Sequence, residues 1–199
     1  MKYLAFLALA LIPCMAAAAE PSDAPSGPQA SQPFSSGGFI RLHLSPGGYT
    51  ITNTSADAIQ ITYTAPHSDE LKKVKVKIQT SGSSADVSVS DTPHNNFQAT
   101  IEIPSRSNLR VRMFAGEVVI NGIEGDKDVE LSAGRIEIKV PHPEEYGRRD
   151  ASVHAGSIEA SAFNISKGGL FRSFTQKGAG KYRLHAHVAT GEIDLPGPI

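Results

Sequence analysis

Apolar and polar residues alternate along most of the chain, which is the pattern of strands that bury one face. The clearest segments are residues 40–44, 74–78 and 109–113. Turn-forming groups such as Pro46-Gly47-Gly48 follow these alternating segments. No long segment places apolar residues at the three-and-four spacing of an amphipathic helix. The pattern therefore predicts an all-β domain.

One phrase recurs in the second half of the chain: alternating apolar residues, a small residue followed by glycine, then alternating apolar residues again. Its copies occupy residues 111–120, 129–138, 153–158 and 187–195. Each copy has an apolar face that only a neighbouring copy can cover, so the copies are expected to stack. This predicts a single-domain β-solenoid, a right-handed β-helix-like stack of short strands. An antiparallel β-sandwich is the alternative.

Glycine residues are predicted to form the turns of this repeat, because glycine adopts positive φ without steric cost. Three of them are separated by 18 and then 22 residues, which fits coils of two short strands and two turns. The predicted turn glycines are Gly82, Gly116, Gly134, Gly156 and Gly191.

The first 38 residues differ in composition from the rest. Residues 1–19 combine a lysine, an apolar run and a final stretch of alanines, which is typical of a secretory signal peptide. Residues 20–38 are rich in Pro, Ser, Ala and Gly, so they are predicted to be a disordered tether. The folded domain is expected over residues 39–199, exported to the periplasm, the cell surface or the extracellular medium.

Cysteine and charge narrow the class of protein further. The only cysteine is Cys14, within the predicted signal peptide, so the mature chain forms no disulfide. Pro13 stands where a lipoprotein signal has a small residue, and lipid attachment at Cys14 is left open. The net charge of −1 gives no electrostatic reason to expect nucleic acid. No stable membrane span is predicted once the signal peptide is removed.

Two small groups of metal-ligating residue types stand at alternate positions, where a strand places them on one face. Asp126, Asp128 and Glu130 offer the oxygen ligands that calcium prefers. His185 and His187 offer half of a zinc or copper site. The sequence does not complete either group. A solvated outer face is the favoured interpretation, and no metal or other cofactor is predicted.

Three lysines on alternate positions form a predicted basic surface: Lys73, Lys75 and Lys77. Such a surface attracts anionic polysaccharide or lipid headgroups, although lysines also protect an edge strand from pairing with other chains. Three arginines would extend the surface if the strands stack in register: Arg106, Arg110 and Arg112.

Catalytic motifs are absent from the sequence. It has no nucleophile elbow, no phosphate-binding glycine loop and no zinc-binding helix motif. Acid pairs such as Glu117 with Glu137, or Glu159 with Glu192, lie near the repeat glycines, where solvated side chains are expected. We therefore predict no catalytic residues and a protein that is not an enzyme.

Several segments resemble one known family. They are the repeat over residues 109–140, the motif Ala-Gly-Ser-Ile-Glu-Ala at 155–160 and the ending Gly-Gly-Leu-Phe-Arg-Ser-Phe at 168–174. These resemble the bacterial "putative adhesin" family of exported β-strand-repeat proteins, an uncharacterised domain family, over residues 39–195. The resemblance implies an all-β repeat fold outside the inner membrane and supplies no catalytic residues.

Signal peptide, tether, repeat and resemblance together predict a non-enzymatic interaction or scaffold module at the bacterial cell envelope. Its expected partner is an envelope or surface protein or a polysaccharide. Two alternatives are a polysaccharide-active β-helix enzyme and a periplasmic ligand- or metal-sensing module.

Overall fold

A computed structural model describes residues 30–198 of the 199-residue chain. The predicted signal peptide and residues 20–29 of the predicted tether lie outside the described residues. Over residues 30–198 twelve strands join in one mixed sheet, and helix is confined to three short turns. The prediction of an all-β fold is confirmed.

Strand lengths range from four to fifteen residues. In chain order the strands are β1 Ala30–Pro33, β2 Phe39–Leu44, β3 Gly47–Thr54, β4 Ala58–Thr64, β5 Lys75–Ser81, β6 Ser84–Ser90, β7 Gln98–Pro104, β8 Asn108–Ile120, β9 Lys127–Ile138, β10 Tyr146–Ala160, β11 Ile165–Lys177 and β12 Tyr182–Asp194. The helical turns are Ser68–Leu71, Pro143–Glu145 and Ser161–Phe163.

Parallel pairing joins the strands that carry the repeat. The main path through the sheet is β1-β4-β7-β3-β8-β9-β12-β10-β11, while β2 links β8 to β6, and β5 pairs with β6. The repeat copies stack, as predicted, but in the order β8, β9, β12, β10 rather than in sequence order. The last copy, β12, lies between β9 and β10. A repeated phrase indicates that copies pair and does not say which copies are neighbours.

The long strands that carry the repeat bend at its glycine. In β8 the buried residues before Gly116 have odd numbers and end at Met113, whereas after it they are Val118 and Ile120. The alternation therefore changes phase at Gly116, whose φ is +131°, a conformation that glycine tolerates. Both arms of the strand consequently bury their apolar side chains in one core cluster.

The repeat glycines form a ladder across the sheet. Its members are successive register partners: Gly47, Gly116, Gly134, Gly191, Gly156 and Gly169. At four of them a Cβ would overlap backbone atoms of the next glycine, so close approach as well as positive φ requires glycine. Of the five predicted turn glycines, Gly82 lies in a turn, between β5 and β6. The other four lie inside continuous strands, where the predicted turns do not occur. Glycine with positive φ is suited to a bend within a strand as well as to a turn between strands, so the sequence did not distinguish the two.

The folded domain includes residues before residue 39. β1 pairs antiparallel with β4, and Phe34 is buried, with its backbone N–H donating to the carbonyl of Asp57 at 3.0 Å. Residues 30–38 are therefore part of the domain, and their assignment to the tether is wrong. Composition averages over the segment and misses the one aromatic ring that attaches it to the core.

Candidate functional site

One polar surface of the sheet is here called the outer face. It is formed by the first arm of each repeat strand, which is the part before the repeat glycine, together with β2, β5, β6 and part of β11. In-register pairing aligns every second side chain across eight strands. One row contains Gln79, Asp86, Arg41, Arg110, Asp128, His185, Asp150 and Thr175. The next row contains Lys77, Ser88, His43, Arg112, Glu130, His187, Ser152 and Ser173.

Arginines and carboxylates pair at the centre of the outer face. The Arg112 Nη2 atom lies 2.9 Å from Asp128 Oδ2 and 3.0 Å from Glu130 Oε1. Arg110 Nε lies 3.0 Å from Asp128 Oδ2. Partial burial acts to raise the pKa of the Asp128 carboxyl, but the guanidinium groups of Arg112 and Arg110 outweigh it and hold that pKa below its ordinary value. Asp128 is therefore ionised at neutral pH.

Histidines occupy the next strand of the outer face. The Nδ1 atom of His185 is hydrogen-bonded to Asp150 Oδ2, and its Nε2 atom lies 3.8 Å from Glu130 Oε1. His187 Nδ1 lies 2.8 Å from Ser152 Oγ, and its ring packs edge-on against His154 at 5.0 Å. Burial, and after it the neighbouring His154, lowers the pKa of His187, so this imidazole is neutral at pH 7.

The structure brings the two predicted groups of metal-ligating residues together in part. Asp128, Glu130 and His185 place ligand atoms within 4.8 Å of one another. Asp126 does not join them, because its Oδ1 accepts the backbone N–H of Arg183 at 2.8 Å. The cation beside this group is Arg112, at ion-pair distance from both carboxylates. The arrangement therefore fits an ion-pair network across strands, as the predicted solvated face implies.

We expect no rise in melting temperature when excess Ca²⁺ or Zn²⁺ is added to the purified protein. A bound ion would have to displace Arg112 from both carboxylates, which loses two charge-assisted contacts. Differential scanning fluorimetry measures this directly. A metal-dependent rise that disappears in Asp128→Asn would show that the cluster is a metal site after all.

The lysines of the predicted basic surface lie at an edge of the sheet. In the described part of the chain β5 pairs with β6 alone, and Lys75 and Lys77 are exposed along it. Lys73 lies in the turn before β5. Lys75 forms an ion pair with Asp91 at 2.8 Å, on exposed side chains. This edge position fits the predicted role of lysines in protecting an edge strand from pairing with other chains. The side chain of Lys77 also belongs to the outer face.

The register between strands decides which of the three arginines extend the predicted basic surface. Arg110 and Arg112 lie on the outer face, and Arg112 shares its row with Lys77 and His43. Three strand spacings of about 4.8 Å separate Lys77 from Arg112. Arg106 lies outside these rows, in an isolated bridge with Glu124.

A shallow groove crosses the outer face beside the glycine ladder and encloses about 560 Å³. Phe114 lines it with 70% of its surface exposed, between the small residues Ser45 and Ser132. It is one of three exposed large hydrophobic residues among residues 30–198, with Leu170 and Phe171. Sequence reasoning missed Phe114. The available signal was a phenylalanine at the polar phase of the alternation, two residues after Arg112.

Three of the four acids predicted near the repeat glycines lie around one arginine on the second arms, whereas Glu159 on β10 accepts a hydrogen bond from Ser166 Oγ at 2.8 Å. Arg135 forms ion pairs with Asp194, with Glu137 at 3.3 Å and with Glu117 at 3.9 Å. Glu192 is its register partner on β12. Glycoside cleavage needs two carboxyl groups that flank the scissile bond, whereas Glu117 and Glu137 are both at ion-pair distance from the guanidinium of Arg135. This geometry favours ion pairing over acid catalysis.

A buried lysine underlies one end of the outer face. Lys127 is 1% exposed, and its Nζ donates to Tyr146 Oη and to the carbonyl of Gly125 at 3.2 Å. Burial lowers the pKa of Lys127 to about 8. The signal in the sequence was its phase, because Lys127 alternates with the buried Val129 and Leu131.

Comparison with solved structures shows a likeness in fold. No protein-family model and no curated protein matches the chain. A crystal structure of a "putative cell adhesion protein" from Clostridium sporogenes is similar, with a TM-score of 0.53 and 11% identity. The alignment covers 84% of this chain and 98% of the other. At 11% identity, this likeness shows that the two chains share a fold. Over the described residues, no helix is both long and apolar enough to cross a membrane.

Proposed function

We propose that this chain is an exported, non-enzymatic interaction or scaffold module of adhesin type at the bacterial cell envelope. The outer face carries the proposal. It is eight strands wide, and its polar side chains are held in cross-strand rows on strands that are mostly paired on both sides. Such a surface is suited to contact with a large partner, because backbone pairing fixes the side chains before binding. The fold shared with a protein described as an adhesion protein supports this function.

The pair of Ser152 and His187 comes nearest to catalytic machinery on this surface. Acyl transfer also needs backbone N–H groups that are free to bind an oxyanion. Ser152 lies on β10 and His187 on β12, and each strand is paired on both sides, so its N–H groups are used in the sheet. These contacts support a binding surface over an acyl-transfer site.

Deleting the gene should reduce attachment of cells to surfaces and biofilm formation. A plasmid copy encoding the full chain should restore both, because the exported module supplies the missing contact. A copy encoding residues 20–199 alone should not restore them, since it lacks the predicted export signal. Crystal-violet staining and counts of attached cells measure the phenotype.

The same strains can also give results that contradict the proposal. Unchanged attachment and biofilm, together with loss of the ability to degrade a polysaccharide, would favour the enzyme alternative. Full restoration by residues 20–199 would contradict the export part of the proposal.

A further inference from the structure

We propose that the groove beside Phe114 binds an acidic polysaccharide, with sugar rings against the phenyl ring and sugar carboxylates near the adjoining cations. This inference rests on the proposed function, since it names the partner class of the interaction module. It is carried by three separate features: the exposed ring, two cationic side chains along the row that borders the groove, and a groove lining rich in hydroxyl groups.

The first feature is the exposed ring of Phe114. A phenyl ring that is 70% exposed on a strand paired on both sides has no packing role to explain it. The small side chains of Ser132 on β9 and of Ser45, directly after β2, line the groove beside Phe114 and leave its ring exposed. The face of an aromatic ring is electron-rich and attracts the weakly positive C–H groups of a sugar ring. Phe114 can therefore hold a saccharide without the tryptophan that the chain lacks.

The second feature is positive charge along the row that borders the groove. Lys77 has no ion-pair or hydrogen-bond partner among residues 30–198, and the guanidinium of Arg112 lies three strands further along the same row. Lys77 and Arg112 are about 14 Å apart at the usual strand spacing. Cations spread in this way match a chain that repeats its negative charge better than a single phosphate group.

The carboxylate of Glu130 in the groove does not oppose an anionic ligand strongly. Arg112 Nη2 lies 3.0 Å from Glu130 Oε1, so the guanidinium compensates the charge locally. Arg112 is shared with Asp128 in the same way. We therefore assign the main attraction for a sugar carboxylate to Lys77.

The third feature is the set of hydroxyl groups in the groove. Four serines line it: Ser45, Ser88, Ser90 and Ser132. Each hydroxyl both donates and accepts a hydrogen bond, as sugar hydroxyls do. The small side chains also keep the groove shallow and open, so a long chain can cross it without threading an end.

The test uses alginate, a carboxylate-rich polysaccharide, and dextran, an uncharged one, in affinity electrophoresis of the purified mature protein. Alginate should retard the wild-type protein and dextran should not. Added salt should weaken the retardation because the cations are exposed. Phe114→Ser and Lys77→Gln should each weaken alginate binding by about threefold to tenfold.

Matched controls keep the test specific to the groove. Leu170→Ser removes another exposed apolar side chain, and Lys139→Gln removes an exposed lysine directly after β9. Both should bind alginate like the wild type. Circular dichroism should show the native strand content in all four variants.

Three outcomes would overturn the inference: no alginate binding by the folded wild type, equal binding of dextran, or unchanged binding by Phe114→Ser. Binding to phosphatidylglycerol vesicles without binding to alginate would also overturn it, in favour of a membrane surface. If alginate binding fails while the deletion strain still loses attachment, this inference falls and the proposed function stands.

Discussion

Gly134→Ala should lower the free energy of unfolding by about 3 kcal/mol or more, combining backbone strain with a clash between strands. Gly134 has a φ of +125°, which L residues rarely adopt. A Cβ there would overlap the carbonyl of Gly116 on β8, so β8 and β9 must move apart. Their separation would disturb the glycine ladder on both sides. Urea unfolding followed by far-UV circular dichroism measures the change.

Two other glycines provide controls for this substitution. Gly168→Ala meets no atom within 4 Å and has no positive φ, so its effect should stay within about 0.5 kcal/mol. Gly82→Ala meets open space but has a φ of +56°, and should cost about 1 kcal/mol. Insolubility of Gly134→Ala beside soluble controls would agree with the account. Equal stability of Gly134→Ala and Gly168→Ala would contradict it.

Between pH 7 and pH 9.5 the wild-type protein should gain about 2 kcal/mol of stability relative to Lys127→Met. The pKa of Lys127 is about 8 in the folded protein, against an ordinary value of 10.5. Between these values the unfolded chain binds more protons, so stability rises with pH. The full cost of burying the charge is present below pH 8 and disappears as the pH rises through 10.5. Methionine carries no proton and lacks this dependence.

Urea unfolding of both proteins at pH 7, 8 and 9.5 measures the difference. Lys139→Met, at an exposed lysine, should follow the wild-type pH curve. The range ends at pH 9.5 because burial raises the pKa of Tyr49 and Tyr146. At higher pH the unfolded chain loses tyrosine protons first, which lowers stability. Parallel curves for the wild type and Lys127→Met would show that burial of Lys127 does not perturb its titration.

Local patterns predicted the fold class, and non-local pairing decided the rest. Alternation identified strands because it depends on nearest neighbours in the chain. It could not place β12 between β9 and β10, since every copy of the repeat offers the same apolar face. It also could not distinguish a turn at Gly134 from a bend, as positive φ suits both. The strand at residues 30–33 was missed because its attachment depends on non-local pairing with β4 and on burial of Phe34.

The candidate site was predictable residue by residue but not as an arrangement. Phase along a strand indicated that Asp128, Glu130 and His185 face one side. Their juxtaposition depends on register between β9 and β12, and the Arg112 cation comes from a third strand. Phe114 had a signal in its phase, but its significance depends on small neighbours across the sheet.

The most direct test of the central claim measures binding and chemistry in one sample. Purified mature protein is incubated with isolated bacterial envelopes, and both the bound protein and the new reducing sugar ends are quantified over time. The account predicts saturable binding with no increase in reducing ends. Time-dependent release of reducing ends, or the absence of saturable binding, would contradict a non-enzymatic interaction module.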